Sequence, residues 1–217
     1  MRFSKKFFDV LNKFIRHYDV ERSYQAFLDF SKHNKLLTLD IGCGEGRKSS
    51  IFTQLASDIV GLDISLEELG EARKRGIKVM LADALHLPFR DNCFEAVLCF
   101  HVIEHLRKSA QALKEIRRIL KNSGLLLLTT PNSRRITNKI GLLFCGGKPG
   151  SKYPLNPDHC FEYDERSLIN IIRNFSEAYV IPLFIGINLP SLNVNIEMKF
   201  PSFFKRYCDQ WILVAVK

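Results

Sequence analysis

The sequence has no long apolar stretch. Its longest runs, such as Leu125–Leu128 and Trp211–Val216, fall far short of the about 18 residues that a membrane-spanning helix needs, so no transmembrane segment is expected. It also lacks any CxxC pair. The six cysteines (Cys43, Cys93, Cys99, Cys145, Cys160 and Cys208) are scattered, which argues for free, reduced thiols rather than disulfides or zinc. Internal repeats and low-complexity segments are missing too. The opening MRFSKKFFDVLNKF interrupts its apolar residues with lysines and offers no small-residue cleavage site, so it does not read as a secretory signal and a cytoplasmic location is the expectation. Acidic residues are in short supply: 32 Lys and Arg against 23 Asp and Glu leave a net charge of +9, which suits an anionic partner but says nothing about fold. Five basic residues and no acidic one lie between Arg134 and Lys152, either a basic rim beside a site or a solvated loop.

What is present is a globular composition, 46% hydrophobic and 25% charged, in a length that suits one domain. Residues 1–35 carry apolar side chains at Phe3, Phe7, Leu11, Phe14, Ile15 and Tyr18, then at Tyr24, Phe27, Leu28 and Phe30, the spacing of amphipathic helices. These form a helical cap that packs on the domain; residues 3–18 could alternatively touch a membrane surface. From Lys35 the pattern alternates. Strands are expected at Leu36–Ile41, Ile59–Ile64, Ile77–Ala82, Phe94–Phe100 and Leu125–Thr130, with helices at Arg47–Ala56, Leu66–Arg75 and Leu106–Leu120. Such alternation predicts a Rossmann-like, doubly wound α/β sheet, mostly parallel, with its ligand crevice at the carboxyl ends of the strands. Residues 36–130 form the cofactor-binding core, and 131–164 is a loop-rich segment of the length that usually serves function. In 165–217, a helix at Glu165–Asn174 and strands at Tyr179–Ile187 and Trp211–Val216 complete seven strands with an antiparallel edge.

The chemistry-bearing residues cluster at the strand ends. Gly42, Gly44 and Gly46 follow the first strand directly and precede a helix, an arrangement that lets backbone approach a ligand closely. A dinucleotide fingerprint would place its third small residue at 47, where this chain has arginine, which counts against a dehydrogenase. Asp63, at the end of the second strand, can accept both hydroxyls of a ribose. Asp83, at the end of the third, can accept the exocyclic amine of adenine, with Ile64 and Leu85 sandwiching the ring. Asp40, Asp63 and Asp83 thus stand in register on three successive strands.

These segments resemble a known family, the class I S-adenosylmethionine-dependent methyltransferases. LDIGCGEG is similar to its first motif, GLDIS to its second, LADALHLPF to its third, FEAVLCFHVIEHL to its fourth and LKNSGLLLLTTPN to its fifth strand segment. Within the family the likeness is greatest to the small-molecule group that includes the ubiquinone-biosynthesis O-methyltransferases. The resemblance implies S-adenosylmethionine as cofactor and S-adenosylhomocysteine as product. It implies that Asp40 faces the methionine amino group, Gly42 and Gly44 lend backbone, Asp63 holds the ribose, Asp83 and Ala84 read adenine, and the backbone around Phe100 closes over the methionine portion.

His101-Val102-Ile103-Glu104-His105 carries several readings. HxxEH is an inverted zinc-protease signature, but that needs both histidines on one long helix, whereas this copy begins at a strand end. A metal held by His101, Glu104 and His105 is one alternative, since quinone-type relatives have a similar cluster. A structural turn organised by Glu104 and His105 is another, and a general base at His101 or His105 a third. His159 and Tyr153, in the long loop, are candidates for contact with the acceptor. No Asn/Asp-Pro-Pro-aromatic segment follows the fourth strand and no Pro-Cys dipeptide occurs, which disfavours nucleic-acid methylation. The expectation is methyl transfer to an oxygen or nitrogen of a small-molecule or lipid-like acceptor. An RNA methyltransferase and a non-catalytic, cofactor-binding partner protein stand as alternatives; the sequence is silent on oligomeric state.

Overall fold

In a computed structural model, the chain is described at residues 18–31, 35–134, 159–183, 187–189, 194–196, 208 and 210–217. Tyr153, the basic positions Arg135, Lys139, Lys148 and Lys152, and the proposed membrane-contact segment before Tyr18 lie outside the described residues. The elements run α1 (Tyr18–Ser31), β1 (Leu36–Ile41), α2 (Ser49–Phe52), β2 (Ala56–Asp63), α3 (Leu66–Lys74), β3 (Lys78–Leu81), β4 (Phe94–Phe100), a 3-10 turn (Ile103–His105), α4 (Ser109–Ile119), β5 (Leu120–Pro131), α5 (Glu165–Ile172), β6 (Glu177–Leu183), β7 (Ile187–Leu189), β8 (Val194–Ile196) and β9 (Gln210–Val216).

Seven strands make one sheet in the order β3-β2-β1-β4-β5-β9-β6, the mostly parallel, doubly wound arrangement expected from the alternating pattern. The pairs among β1 to β5 are parallel. β9 inserts between β5 and β6 and runs antiparallel to both, so the antiparallel ladders are the last two at that end of the sheet. A separate pair, β7-β8, lies beyond β6 in sequence. Both faces of the central strands are covered, which explains their near-continuous apolar sequence. On β4, Val97 and Cys99 join Leu113, Ile116 and Ile119 of α4 and Leu168 and Ile172 of α5 in one core. Ala96, Leu98 and Phe100 point the other way, against Tyr24 and Phe27 of α1 and Phe52 of α2. Phe52 stacks on Phe100 at 5.8 Å between centroids and meets Phe27 edge-on at 5.5 Å.

Helix ends differ from the sequence expectation for local reasons. The helix expected over Arg47–Ala56 is one short turn, Ser49–Phe52, because the chain must leave the glycine loop before it can coil and re-enter β2 already at Ala56. The helix expected from Leu106 starts at Ser109, since Ile103–His105 form a 3-10 turn first. β5 begins at Leu120 rather than Leu125, where Leu120 pairs with Phe94 and Ser123 takes a positive φ. Capping sets the starts of α3 and α5: Ser65 accepts from the Glu68 amide, and Asp164 forms a reciprocal capping box with Ser167. No helix among the described residues is long and apolar enough to cross a membrane.

Candidate active site

Strand order reverses between β1 and β4, and the crevice at that switch is where open α/β sheets bind ligands. One wall is the turn Gly42–Gly46. Gly42 has φ +69°, and a Cβ built on it would fall 2.3 Å from Cγ2 of Val102, so the loops that leave β1 and β4 touch there. Gly46 has φ +76° and would bring a Cβ to 3.0 Å from Ala72 Cβ, which lets α3 close against the turn. The amides of Gly42 and Cys43 both donate to the Leu62 carbonyl of β2, at 2.7 and 3.1 Å.

Asp63 ties this wall together. Its Oδ2 accepts the Gly44 amide and its Oδ1 the Ser65 amide, each at 2.9 Å. A carboxylate has about four lone-pair sites, so two remain for a diol. Ile64 beside it is 77% exposed, a large apolar side chain left open at the crevice. Across from it, Asp83 is exposed with Oδ1 accepting the Leu85 amide at 2.8 Å; Leu85 is half-buried and Ala84 buried. Asp40 pairs with Gly61 and Asp63 with Leu81, so the three carboxylates are staggered along the sheet rather than in register, each still near the carboxyl end of its strand.

Asp40 behaves differently. It is 2% exposed, and its carboxylate accepts the Ser49 hydroxyl at 2.5 Å. Burial pushes its carboxyl up to about 6, partly offset by Ser49 and by the charge of Lys48. A buried carboxylate held this way, beside a turn that a Cβ would fill, fits a ligand bringing an ammonium group. Phe100 is buried, with its ring stacked on Phe52 of α2 and Lys48 Nζ 5.2 Å from its centroid. Burial pushes the neighbouring Cys43 thiol up to about 12 and raises Cys99 as well. Five cysteines among the described residues are free.

The turn after β4 forms the other wall. His101 takes φ +59°, uncommon for a residue with a side chain, and its amide donates to Thr129 at 3.0 Å. Its Nδ1 lies 3.2 Å from Oε1 of Glu104, which is fully buried and accepts the Thr130 hydroxyl on Oε2 at 3.2 Å. The segment entering α5 is knitted to this turn: the amides of Cys160 and Phe161 donate to the Glu104 carbonyl at 2.7 and 3.0 Å. His159 is thereby brought to His105, with rings nearly perpendicular at 4.9 Å. Glu104, His105 and His159 offer ligand atoms all within 4.8 Å of one another, a grouping that has His159 where the metal alternative read from the sequence had His101. Ser49, Thr130 and Glu162, which brace Asp40, Glu104 and His159, escaped sequence reasoning. Nothing in their spacing marks them. Arg134, the one described member of the basic stretch, is paired with Asp164 at 2.9 Å.

Residues 39–128 match the family described as "Methyltransferase domain". A protein of Mycobacterium tuberculosis named "Probable S-adenosylmethionine-dependent methyltransferase" is 33% identical over 161 residues, 72% of this chain and 55% of the relative. A Bos taurus protein named "Probable tRNA methyltransferase 9B" is 36% identical over 107 residues, 48% of this chain and 23% of that one. The chain thus spans little more than half the length of the first and a quarter or less of the second. In fold it is similar to a SAM-dependent methyltransferase from Archaeoglobus fulgidus, with a TM-score of 0.67 at 18% identity over 97% of this chain and 99% of that one. With the glycine turn, the strand-end carboxylates and the strand order all in place, residues 39–128 match a methyltransferase domain and the chain is similar to S-adenosylmethionine-dependent methyltransferases.

Proposed function

We propose that the protein transfers a methyl group from S-adenosylmethionine to an oxygen or nitrogen of a small-molecule or lipid-like acceptor, releasing S-adenosylhomocysteine. The observation that carries this reading is the Gly42–Gly46 turn locked to Asp63 beside exposed Ile64. Asp63 would hold the ribose with its two remaining lone-pair sites, Ile64 and Leu85 would flank adenine, and Asp83 with Ala84 would read its edge. Asp40 would meet the methionine ammonium, with Gly42, Gly44 and the backbone of Phe100 closing around the chain. The sulfonium supplies an electrophilic methyl, whose carbon–sulfur bond breaks with the electron pair left on sulfur as the acceptor's lone pair forms the new bond. This chain's residues bind and align the partners, and a base takes the acceptor's proton where it must be lost. His101 is the candidate best placed for that, because Glu104 braces its Nδ1; His105 is the alternative. The segment 131–164, with His159 and Tyr153, and the N-terminal helices would border the acceptor.

Incubation with methyl-labelled S-adenosylmethionine and fractionated cell extract tests the reading. Label in a small-molecule or lipid fraction supports it; label confined to RNA overturns the acceptor class. An RNA acceptor is the second reading, favoured by the net charge of +9 and by the relative named as a tRNA methyltransferase. It requires RNA binding that weakens steeply with salt. A protein that binds the cofactor but labels nothing in any extract would instead be a non-catalytic partner.

A further inference from the structure

We infer that the groove between α4 and α5, at the amino ends of the parallel strands, is a second ligand site that takes a small amphipathic anion: a phosphate, sulfate or carboxylate carried on an apolar body. It lies at the opposite edge of the sheet from the Gly42–Gly46 turn, where Phe94 opens β4 and Lys217 follows β9. The groove encloses about 630 Å³, within the range of small-molecule pockets and far more than a bare oxyanion fills. Its floor is apolar: Leu113 and Phe175 belong to the buried core, and Ile171 packs partly buried against it.

The walls give the site its sign. Four basic and two acidic side chains line the groove, a surplus of two positive charges. Both acids are spent on one cation: Arg118 donates to Asp91 and Glu115, each at 2.8 Å, and to the carbonyls of Leu87 and Phe89, so its guanidinium is a fixed part of the wall. Lys114, Arg117 and Lys217 remain, and none of the three is ion-paired with a described residue. Lys114 and Arg117 are exposed and, three residues apart, neighbours on one face of α4. Arg117 Nε donates to the Asn174 carbonyl at 2.8 Å, which ties the side chain to the segment after α5 and leaves its two terminal nitrogens to donate elsewhere. Lys217 differs. Its Nζ is met by the Leu120 carbonyl at 2.6 Å, Asn92 Oδ1 at 2.7 Å and the Arg118 carbonyl at 3.4 Å, all neutral acceptors, so it contributes charge without needing a further bond. Burial first, and then the charge of Arg117, hold its ammonium below the usual lysine range, and Asp91 offsets only part of this. A bound anion would relieve that repulsion; a neutral ligand would leave it standing. The floor makes the complementary demand, since a bare anion would leave apolar surface facing water. Recognition therefore needs both parts of the ligand.

Naphthyl phosphate is titrated into the protein at fixed ionic strength, followed by fluorescence and calorimetry, beside naphthol as the body alone and inorganic phosphate as the head alone. One naphthyl phosphate per chain is expected, bound tighter than roughly 1 mM, with each half-ligand at least about tenfold weaker. The double substitution Lys114→Gln and Arg117→Gln should weaken binding at least about tenfold, from loss of charge-assisted contacts. Ala110→Glu, at an exposed helical position lining the groove, should do the same by repulsion. The pair Arg73→Gln and Lys74→Gln removes equal charge from α3 and should bind as the wild type does, and melting curves check that every variant is folded. Binding should persist with excess S-adenosylhomocysteine; displacement by it would place the probe in the cofactor crevice and overturn the site. Absence of binding, equal affinity for inorganic phosphate, or wild-type affinity in both groove variants overturns it too. The site stands apart from the methyl-transfer reading, which none of these outcomes touches.

Discussion

In the proposed function, Asp40 is the residue at which cofactor binding and stability oppose each other. Its carboxyl rises from an ordinary 3.8 to about 6 because folding strips its water. The folded state thus holds the proton more tightly than the unfolded chain. Asp40 therefore destabilises the cofactor-free protein above about pH 6, and the penalty fades as pH falls toward 4. Its ceiling is roughly 3 kcal/mol. Asp40→Asn, which can still accept from Ser49, should raise the melting temperature of the cofactor-free protein at pH 8. The gain should shrink at pH 5, while S-adenosylhomocysteine affinity falls at pH 8. Melting curves at both pH values check this; a variant less stable at pH 8 would show that the carboxylate is stabilising as it stands. At this scale the sequence was legible where a motif fixes the backbone: Asp40, Asp63 and Asp83 stand at the expected strand ends. Their partners were not, since Ser49 and Thr130 are defined by which strands and turns end up adjacent.

Elements explain the glycine turn better than the motif does. Gly42 is required both by its φ of +69° and by Val102, whose Cγ2 a Cβ would meet at 2.3 Å. Gly42→Ala should cost about 2–4 kcal/mol, combining backbone strain with overpacking. In a double-variant cycle with Val102→Ala, part of that cost should disappear, giving a coupling of about 1 kcal/mol or more. Urea unfolding measures it; strictly additive costs would mean the β1 and β4 loops do not press together. Periodicity located every strand of the parallel core, because Leu and Val alternate toward two buried faces. It overextended the helices at Arg47 and Leu106, where apolar residues continue through turns whose geometry is set by the loop before them.

The whole molecule depends on a strand far from the motifs. β9 joins β5 to β6 by seven residue pairings to each, and the Lys217 amide and side chain reach the Gly124 and Leu120 carbonyls at 3.0 and 2.6 Å. Deleting Gln210–Lys217 should leave two bare strand edges and abolish cooperative unfolding, as read by circular dichroism; a sharp transition in the truncated chain would contradict this. The alternating pattern foretold a doubly wound sheet, but the insertion of β9 between β5 and β6 is a pairing across some eighty residues that local pattern does not encode. The proposed function places S-adenosylmethionine in the crevice at the β1–β4 switch, with Asp63, which holds the turn, also gripping the ribose. Calorimetric titration of S-adenosylhomocysteine into wild type and Asp63→Ala tests it most directly. Binding by the wild type at one per chain and at least about a hundredfold weaker binding by the variant are expected, from loss of two charge-assisted hydrogen bonds. Equal affinity in the two proteins, or no binding by the wild type, would contradict it.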